Sequence, residues 1–243
     1  MLPEETPVAL VYNGSTEAVM MATPDDLEDF AVGFSLTEGL IGSPSEVDEL
    51  TVLHSESGIE LRMWLAGACA NAYRARRRRL TGPTGCGLCG IESLTEAIRP
   101  TRVVGAGRLW QAADVAAAVA TLGERQPLHQ KTHATHAAAL VGHDNGAAIV
   151  REDVGRHNAL DKLAGAIARS AVDASQCALV ITSRVSVEMV QKAAAIGAPL
   201  LIAVSAPTAL AVRTAEAANI TLIGVARHSD WEMYTHRNRI HLK

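Results

Sequence analysis

The sequence predicts an α/β protein: a layered core in the C-terminal part and a smaller α+β unit ahead of it. Three observations carry this expectation. From residue 158 to residue 226 helical and strand patterns alternate strictly, an order that makes strands parallel and puts helices on the sheet faces. Before residue 100 the patterns read instead as hairpins with an intervening helix. Aromatic residues supply only 3% of a chain that is 48% hydrophobic, so the interior is built from small and branched aliphatic side chains, which suits layers better than a sandwich. We divide the 243 residues into an N-terminal unit, 1–100, and a core, 101–243, enough chain for two modest hydrophobic cores.

The first element is a hairpin, "VALVYNGSTEAVMM", in which Asn13-Gly14 separates two apolar runs. "TPDDLEDFAVGFSLTEGLIG" announces a helix with Thr23 as N-cap, Pro24 in the first turn, Leu27, Phe30, Ala31 and Phe34 on one face, and Gly42 as the stop. Residues 47–54 and 59–65 form a second hairpin, followed by a helix carrying "RARRRR" at 74–79, a solvated face or a site for an acidic partner. A short helix starts at Ile91 and an alanine-rich one covers 114–122. Strands at 136–141 and 147–150 pair through Asp144, Asn145 and Gly146. Helices at 158–169, 187–196 and 208–218 then alternate with strands at 177–182, 200–204 and 221–226.

Bulk charge excludes some functions. A formal net charge of −4 with no recurring basic face gives no nucleic-acid footprint. The N-terminal stretch "MLPEETPVAL" has no apolar run of the kind a secretory signal needs, which leads to an expectation of a cytoplasmic protein. The uncharged run 193–212 is long enough for a membrane span, but Gly197, Pro199, Ser205, Pro207 and Thr208 divide it into separate elements, so no membrane partner is expected.

The stretch "TGCGLCGIESL", 84–94, sets Cys86 and Cys89 among three glycines. A structural zinc site needs four ligands and this pair has no second CxxC pair; a zinc deaminase needs a PCxxC, and here Gly85 precedes Cys86. No metal is therefore expected. What remains is dithiol exchange, or a nucleophilic cysteine in an exposed loop that carries sulfur as a persulfide while the second thiol assists release or protects it. Cys69 and Cys177 read as packing residues.

Ligands of open α/β sheets collect at the carboxyl ends of the strands. Here those ends offer Thr182, Ser183 and Arg184, then Ser205, Pro207 and Thr208, then Arg227 and His228, a set that points to a phosphate or pyrophosphate, although Ser183 and Ser205 also suit helix caps. The absence of a GxxxxGK[ST] pattern argues against a P-loop NTPase, and the GxGxxG spacing occurs at 85–90 alone, where the cysteine pair fills it and no strand pattern leads into it, which argues against a dinucleotide dehydrogenase. "REDVGRHNALDK", 151–162, concentrates charge at a strand-to-helix junction; capping and internal ion pairs account for about half of it. His157 and His136 read as structural histidines.

Together, "NGSTEAVMMATPDDLEDFAVGFSLTEG", "GCGLCG", "REDVGRHNALDK", "TSRVSVEMVQKAAAIGAPLLIAVSAPTALAV" and "MYTH" resemble the FdhD family of formate dehydrogenase accessory sulfurtransferases, from about Val8 to His236. The resemblance implies a cytidine-deaminase-like three-layer core and a homodimer that binds molybdenum bis-molybdopterin guanine dinucleotide. It further implies that the protein takes sulfur from a cysteine desulfurase and passes it to the metal before the cofactor enters formate dehydrogenase. Cys86 resembles the persulfide cysteine and Cys89 its partner. Thr182, Ser183 and Arg184, with Ser205 and Thr208, look like cofactor-facing segments that Arg227 joins. Ser229, Asp230, Trp231, Glu232, Met233 and Tyr234 are similar in position to a stretch that faces the nucleotide. The sequence departs from the family pattern at Pro83 and at His133, the latter where glycine is frequent. Two other readings of the same residues are a cofactor-binding chaperone without catalysis and a CxxC dithiol oxidoreductase.

Overall fold

A computed structural model describes residues 1–80, 101–142, 148–227 and 230–242, without the side chains of 75–80 and 148. Pro83, Cys86, Cys89, the expected helix at Ile91, the turn at Asp144–Gly146, and His228 with Ser229 lie outside the described residues, as do the side chains of most of the arginine run.

The N-terminal sheet contains β1 (Thr6–Tyr12), β2 (Ser15–Ala22), β3 (Val47–Ser55) and β4 (Gly58–Leu65), in the order β2-β1-β4-β3. Both expected hairpins form, and the two hairpins join through parallel pairing of β1 with β4. Asn13 and Gly14 take φ values of 49° and 77°, the positive pair that a two-residue hairpin turn requires. Helix α1 (Leu27–Thr37) lays Leu27, Phe30, Ala31 and Phe34 against Val8, Leu10, Tyr12, Ile59, Leu61 and Met63 from the sheet, as the spacing predicts. Helix α2 (Gly67–Leu80) adds Ala70 and Tyr73 to this cluster.

Both ends of α1 differ from expectation. Thr23 is not its N-cap; the helix starts at Leu27 behind Asp26, whose φ is 53°. The polar groups of Thr23 are engaged elsewhere: its N–H donates to Asp153 and its carbonyl accepts from Lys162. At the other end the left-handed residue after the helix is Gly39, φ 66°, not Gly42.

β5 (Trp110–Gln111) pairs with β12 (Ile240–His241) in a short two-stranded sheet, and the strands between them form a larger sheet in the order β11-β10-β9-β8-β6-β7. Strands β8 (Ala178–Ile181), β9 (Leu200–Ala203) and β10 (Thr221–Arg227) are parallel, as the alternation demands. β6 (His136–Val141) runs antiparallel to both β8 and β7 (Ala148–Asp153). A strand absent from the sequence reading, β11 (Asp230–Met233), closes the far edge antiparallel to β10; its "DWEM" has no β-branched residue to announce it. One sheet face supplies Ala137, Ala139, Val141, Val180 and Ile202 to α3 (Ala112–Glu124). The other supplies Ala138, Leu140, Leu179, Ile181 and Leu201 to α5 (Arg156–Ala168), α6 (Val187–Ile196) and α7 (Ala209–Ala217). The short helix α4 (Pro127–Thr132) ends at His133, which takes the left-handed conformation, φ 54°, that glycine adopts freely.

The two sheets are linked by α1 crossing α5 at two glycines. A methyl on Gly33 would overlap the Asp161 carbonyl and the Gly165 amide, and one on Gly165 would overlap the Asp29 carbonyl. Both obstacles are backbone, which cannot swing aside. Gly165→Ala is therefore expected to lower unfolding stability by about 1–3 kcal/mol, read from the denaturant midpoint; an unchanged midpoint would show that the helices are not in contact at this crossing.

Candidate functional site

Most of the polar segment 151–162 serves this joint. Asp153 and Lys162, both fully buried, pair at 2.7 Å. Asp153 also accepts from the N–H groups of Thr23 and Gly155 and from Asn158, and Asn158 donates to the Met21 carbonyl. One helical turn along, Asp161 accepts from Thr37 at 2.6 Å and from Lys192 at 2.7 Å, while Lys192 also reaches Glu38 at 3.1 Å. Burial would lower the Lys192 pKa, but Asp161 and Glu38 outweigh it and hold the ammonium above its ordinary range. Arg151 and Arg169 clamp the two oxygens of Asp29 on α1. Glu152 accepts from the first N–H groups of α4 at Leu128 and His129. The ion pairs and caps thus claim more than half of this segment.

The carboxyl ends of the parallel strands lie side by side, as expected. Val204 donates to the Ile181 carbonyl, Val185 to Ala206, Thr208 to Val185, and Val225 to Ser205, so the segments after β8, β9 and β10 form one continuous edge. Thr182 Oγ1 accepts from the Ala137 amide at 3.0 Å. Ser183 is buried with its hydroxyl on the Arg184 carbonyl, while Arg184 and Arg227 are exposed. Ser183 and Ser205 are not caps; Ser186 and Thr208 hold those positions, and Thr208 accepts from Ala211 at 3.2 Å. β11 is bound to this edge: a Cβ at Gly224 would sit 2.9 Å from Pro207 and 3.0 Å from the Tyr234 ring. Asp230 and Glu232 are exposed, Trp231 and Met233 lean on the core, and Tyr234 donates to Glu232 at 2.6 Å, which pushes its phenol up to about 12.

Val225 adopts φ 53° at the irregularity between Gly224 and Arg227. A β-branched residue there costs about 1–3 kcal/mol, and strain of this kind gathers at functional sites.

Three residues at this edge escaped the sequence reading as site residues. His136 begins β6 beside the end of β8, with Nδ1 3.3 Å from Thr182 Oγ1. Arg156 and His157 open α5, and His157 Nε2 lies 2.9 Å from Glu188. Burial first, then Arg156, His129 and His157, pull the His136 imidazole below its ordinary value, against Asp153. The sequence signal for Arg156 and His157 was the motif "GRHN" itself, masked by the structural residues around it.

A cavity of about 500 Å³ lies elsewhere, between Leu36, Thr37, Ile41, Ala164, Gln191 and Ile196, whereas the polar groups gather at the strand edge. Cys69 donates to the Leu40 carbonyl and Cys177 to that of Asp173, and burial, helped by Glu46 and Asp173 respectively, raises both thiols. They pack, as expected. Among the described residues no cluster of His, Cys, Asp and Glu could hold a metal ion, and no helix is long and apolar enough to cross a membrane.

These elements define a mixed α/β protein with an open, cation-bearing sheet edge. Residues 3–241 match the FdhD/NarQ family, and the chain belongs to that family. It is 54% identical over 241 residues to a protein of Brucella abortus, covering 99% of this chain and 90% of the relative. It is 50% identical over 240 residues to one of Agrobacterium fabrum, covering 98% and 89%. Both are named sulfur carrier protein FdhD. A crystal structure of a formate dehydrogenase accessory protein from Desulfotalea psychrophila superposes with a TM-score of 0.76 at 24% identity, over 99% of this chain and 90% of that one; at that identity the likeness speaks for the fold.

The burial of His136, with Arg156 in electrostatic reach, makes a direct prediction. In a proton NMR titration its imidazole titrates below the ordinary value of about 6.5; a midpoint at or above that value would show that burial and Arg156 do not govern it.

Proposed function

We propose that this protein is a sulfur carrier in formate dehydrogenase maturation. In this reading the Cys86 thiolate attacks the outer sulfur of a persulfide on a cysteine desulfurase. The sulfur–sulfur bond of the donor breaks, the desulfurase leaves as a thiolate, and Cys86 holds the transferred sulfur. Cys89 assists its release, and the receiver is molybdenum bis-molybdopterin guanine dinucleotide, bound as substrate. The observation that carries the reading is the near-full-length likeness, at about half identity, to relatives named sulfur carrier protein FdhD.

The strand edge supports the same assignment. Thr182, Ser183, Arg184, Ser205, Thr208 and Arg227, with Asp230–Tyr234, supply hydroxyls, amides and guanidiniums suited to a cofactor with two nucleotide arms. A mixed sheet covered by helices on both faces agrees with a cytidine-deaminase-like core, and a homodimer in the cytoplasm, with formate dehydrogenase as the final recipient, completes the reading.

Incubation with an active cysteine desulfurase and cysteine is expected to add one sulfur atom to Cys86, located by peptide mass spectrometry and abolished in Cys86→Ala. An unmodified wild-type protein in the presence of a working desulfurase would refute the carrier role.

A further inference from the structure

Charge is divided sharply along the chain. Residues 1–65 hold 13 Asp and Glu against a single base, Arg62, whereas the remaining 178 residues hold 21 Lys and Arg against 13 acids. The cation-bearing strand edge belongs to the basic part. The acidic part is the N-terminal sheet with α1, and one face of that sheet stands open.

The strand register defines this face. Leu10, Met20, Val52 and Leu61 turn inward to the cluster that α1 and α2 complete, so the residues alternating with them turn outward. One row across the four strands is Val19, Ala9, Glu60 and Leu53; Met21 and Pro7 lie on one side of it, Arg62 and Thr51 on the other, and Trp64 opposite Glu49 beyond. A sheet face left to water reads as polar. Here Val19, Met21, Trp64 and Leu53 are 60, 47, 50 and 37% exposed. Beside Trp64 a hollow of about 360 Å³ is lined by Val11, Thr16, Glu60 and Arg62, and Arg62 pairs with Glu60 at 2.7 Å. The margins are acidic: Asp48, Glu49 and Glu56 are exposed on β3 and its turn, and Glu4 and Glu5 just ahead of β1.

What covers such a face is apolar at its centre and basic around it. A second copy would set one acid-rich unit against another, and an anionic lipid surface or a nucleic acid would be repelled.

We propose that the outer face of the N-terminal sheet is the docking surface for the cysteine desulfurase, which meets it with an apolar patch ringed by Lys and Arg. One of those cations enters the hollow, lies against the Trp64 indole and reaches Glu60. This inference rests on the sulfur-carrier reading above. The path of the chain points to the sulfur donor as the partner. β4 leads directly into α2, and Cys86 follows the end of α2 by six residues, a tether of about 20 Å at full stretch. A donor seated here thus grips the unit that carries the accepting thiol, and the opposite charge of the two parts keeps donor and cofactor on separate surfaces.

The test is steady-state sulfur loading by a purified desulfurase with cysteine, with the full-length protein as the varied substrate and the persulfide read by peptide mass spectrometry. Trp64→Ser is expected to raise KM roughly tenfold, the loss of one aromatic anchor, at unchanged kcat; Trp64→Phe keeps most of the affinity. The double variant Glu49→Lys, Glu56→Lys raises KM as well and flattens its increase with salt. Inorganic polysulfide, which needs no docking surface, loads every variant as it loads wild type. Wild-type KM values in Trp64→Ser and in the charge variant would overturn the docking surface and leave the carrier reading standing. So would an equal fall in polysulfide loading, which would place the defect at the thiol, or a changed oligomeric state with KM unaltered, which would make a second copy the occupant. Failure of an active desulfurase to load wild type would overturn both.

Discussion

Everything at the strand edge depends on the close crossing of α1 over α5. Two glycines bring the backbones together, and the buried pairs Asp153–Lys162 and Asp161–Lys192 sit at this joint. The joint is demanding in both directions. Taking four charges out of water is costly, and each is tolerated because its partner and several hydrogen bonds satisfy it. Removing one member would leave the other buried and uncompensated, at a cost of about 3–5 kcal/mol, a large share of the 5–15 kcal/mol that holds a typical domain together. Such a joint has one arrangement, and that arrangement sets where α5 begins and which residues its first turn presents.

The fold was legible where local chemistry decided it. Asn13-Gly14 specified a hairpin, and the alternation after residue 158 specified the parallel strands β8, β9 and β10. Three features were not legible, each because its cause is distant. Thr23 looked like a helix cap, but its backbone serves Asp153 and Lys162, 130 and 139 residues along the chain. β11 pairs with β10 through backbone groups that any sequence carries. The charges of 151–162 could not be divided between structure and site without their partners on α1 and α6, since Arg151 meets Asp29 across 122 residues. The family likeness was visible in the motifs because it needs no contact map.

The resulting division of labour explains a puzzle in the motif. Its twelve residues look like an active site because they are dense in charge, yet many of those charges hold the two sheets together, and Arg156 and His157, which open α5, take no part in that joint. The strained Val225 and the buried Ser183 at neighbouring strand ends show that this edge is shaped by more than packing. Away from this edge, burial raises the thiols of Cys69 and Cys177, which pack instead of reacting.

The most direct test of the account follows the sulfur itself. The protein is loaded with radiolabelled sulfur by a desulfurase, freed of donor, and mixed in a single turnover with molybdenum bis-molybdopterin guanine dinucleotide. The account predicts that the label leaves the protein only when the cofactor is present and is recovered with the molybdenum. Label that stays on the protein, or departs as free sulfide at the same rate without cofactor, would contradict it.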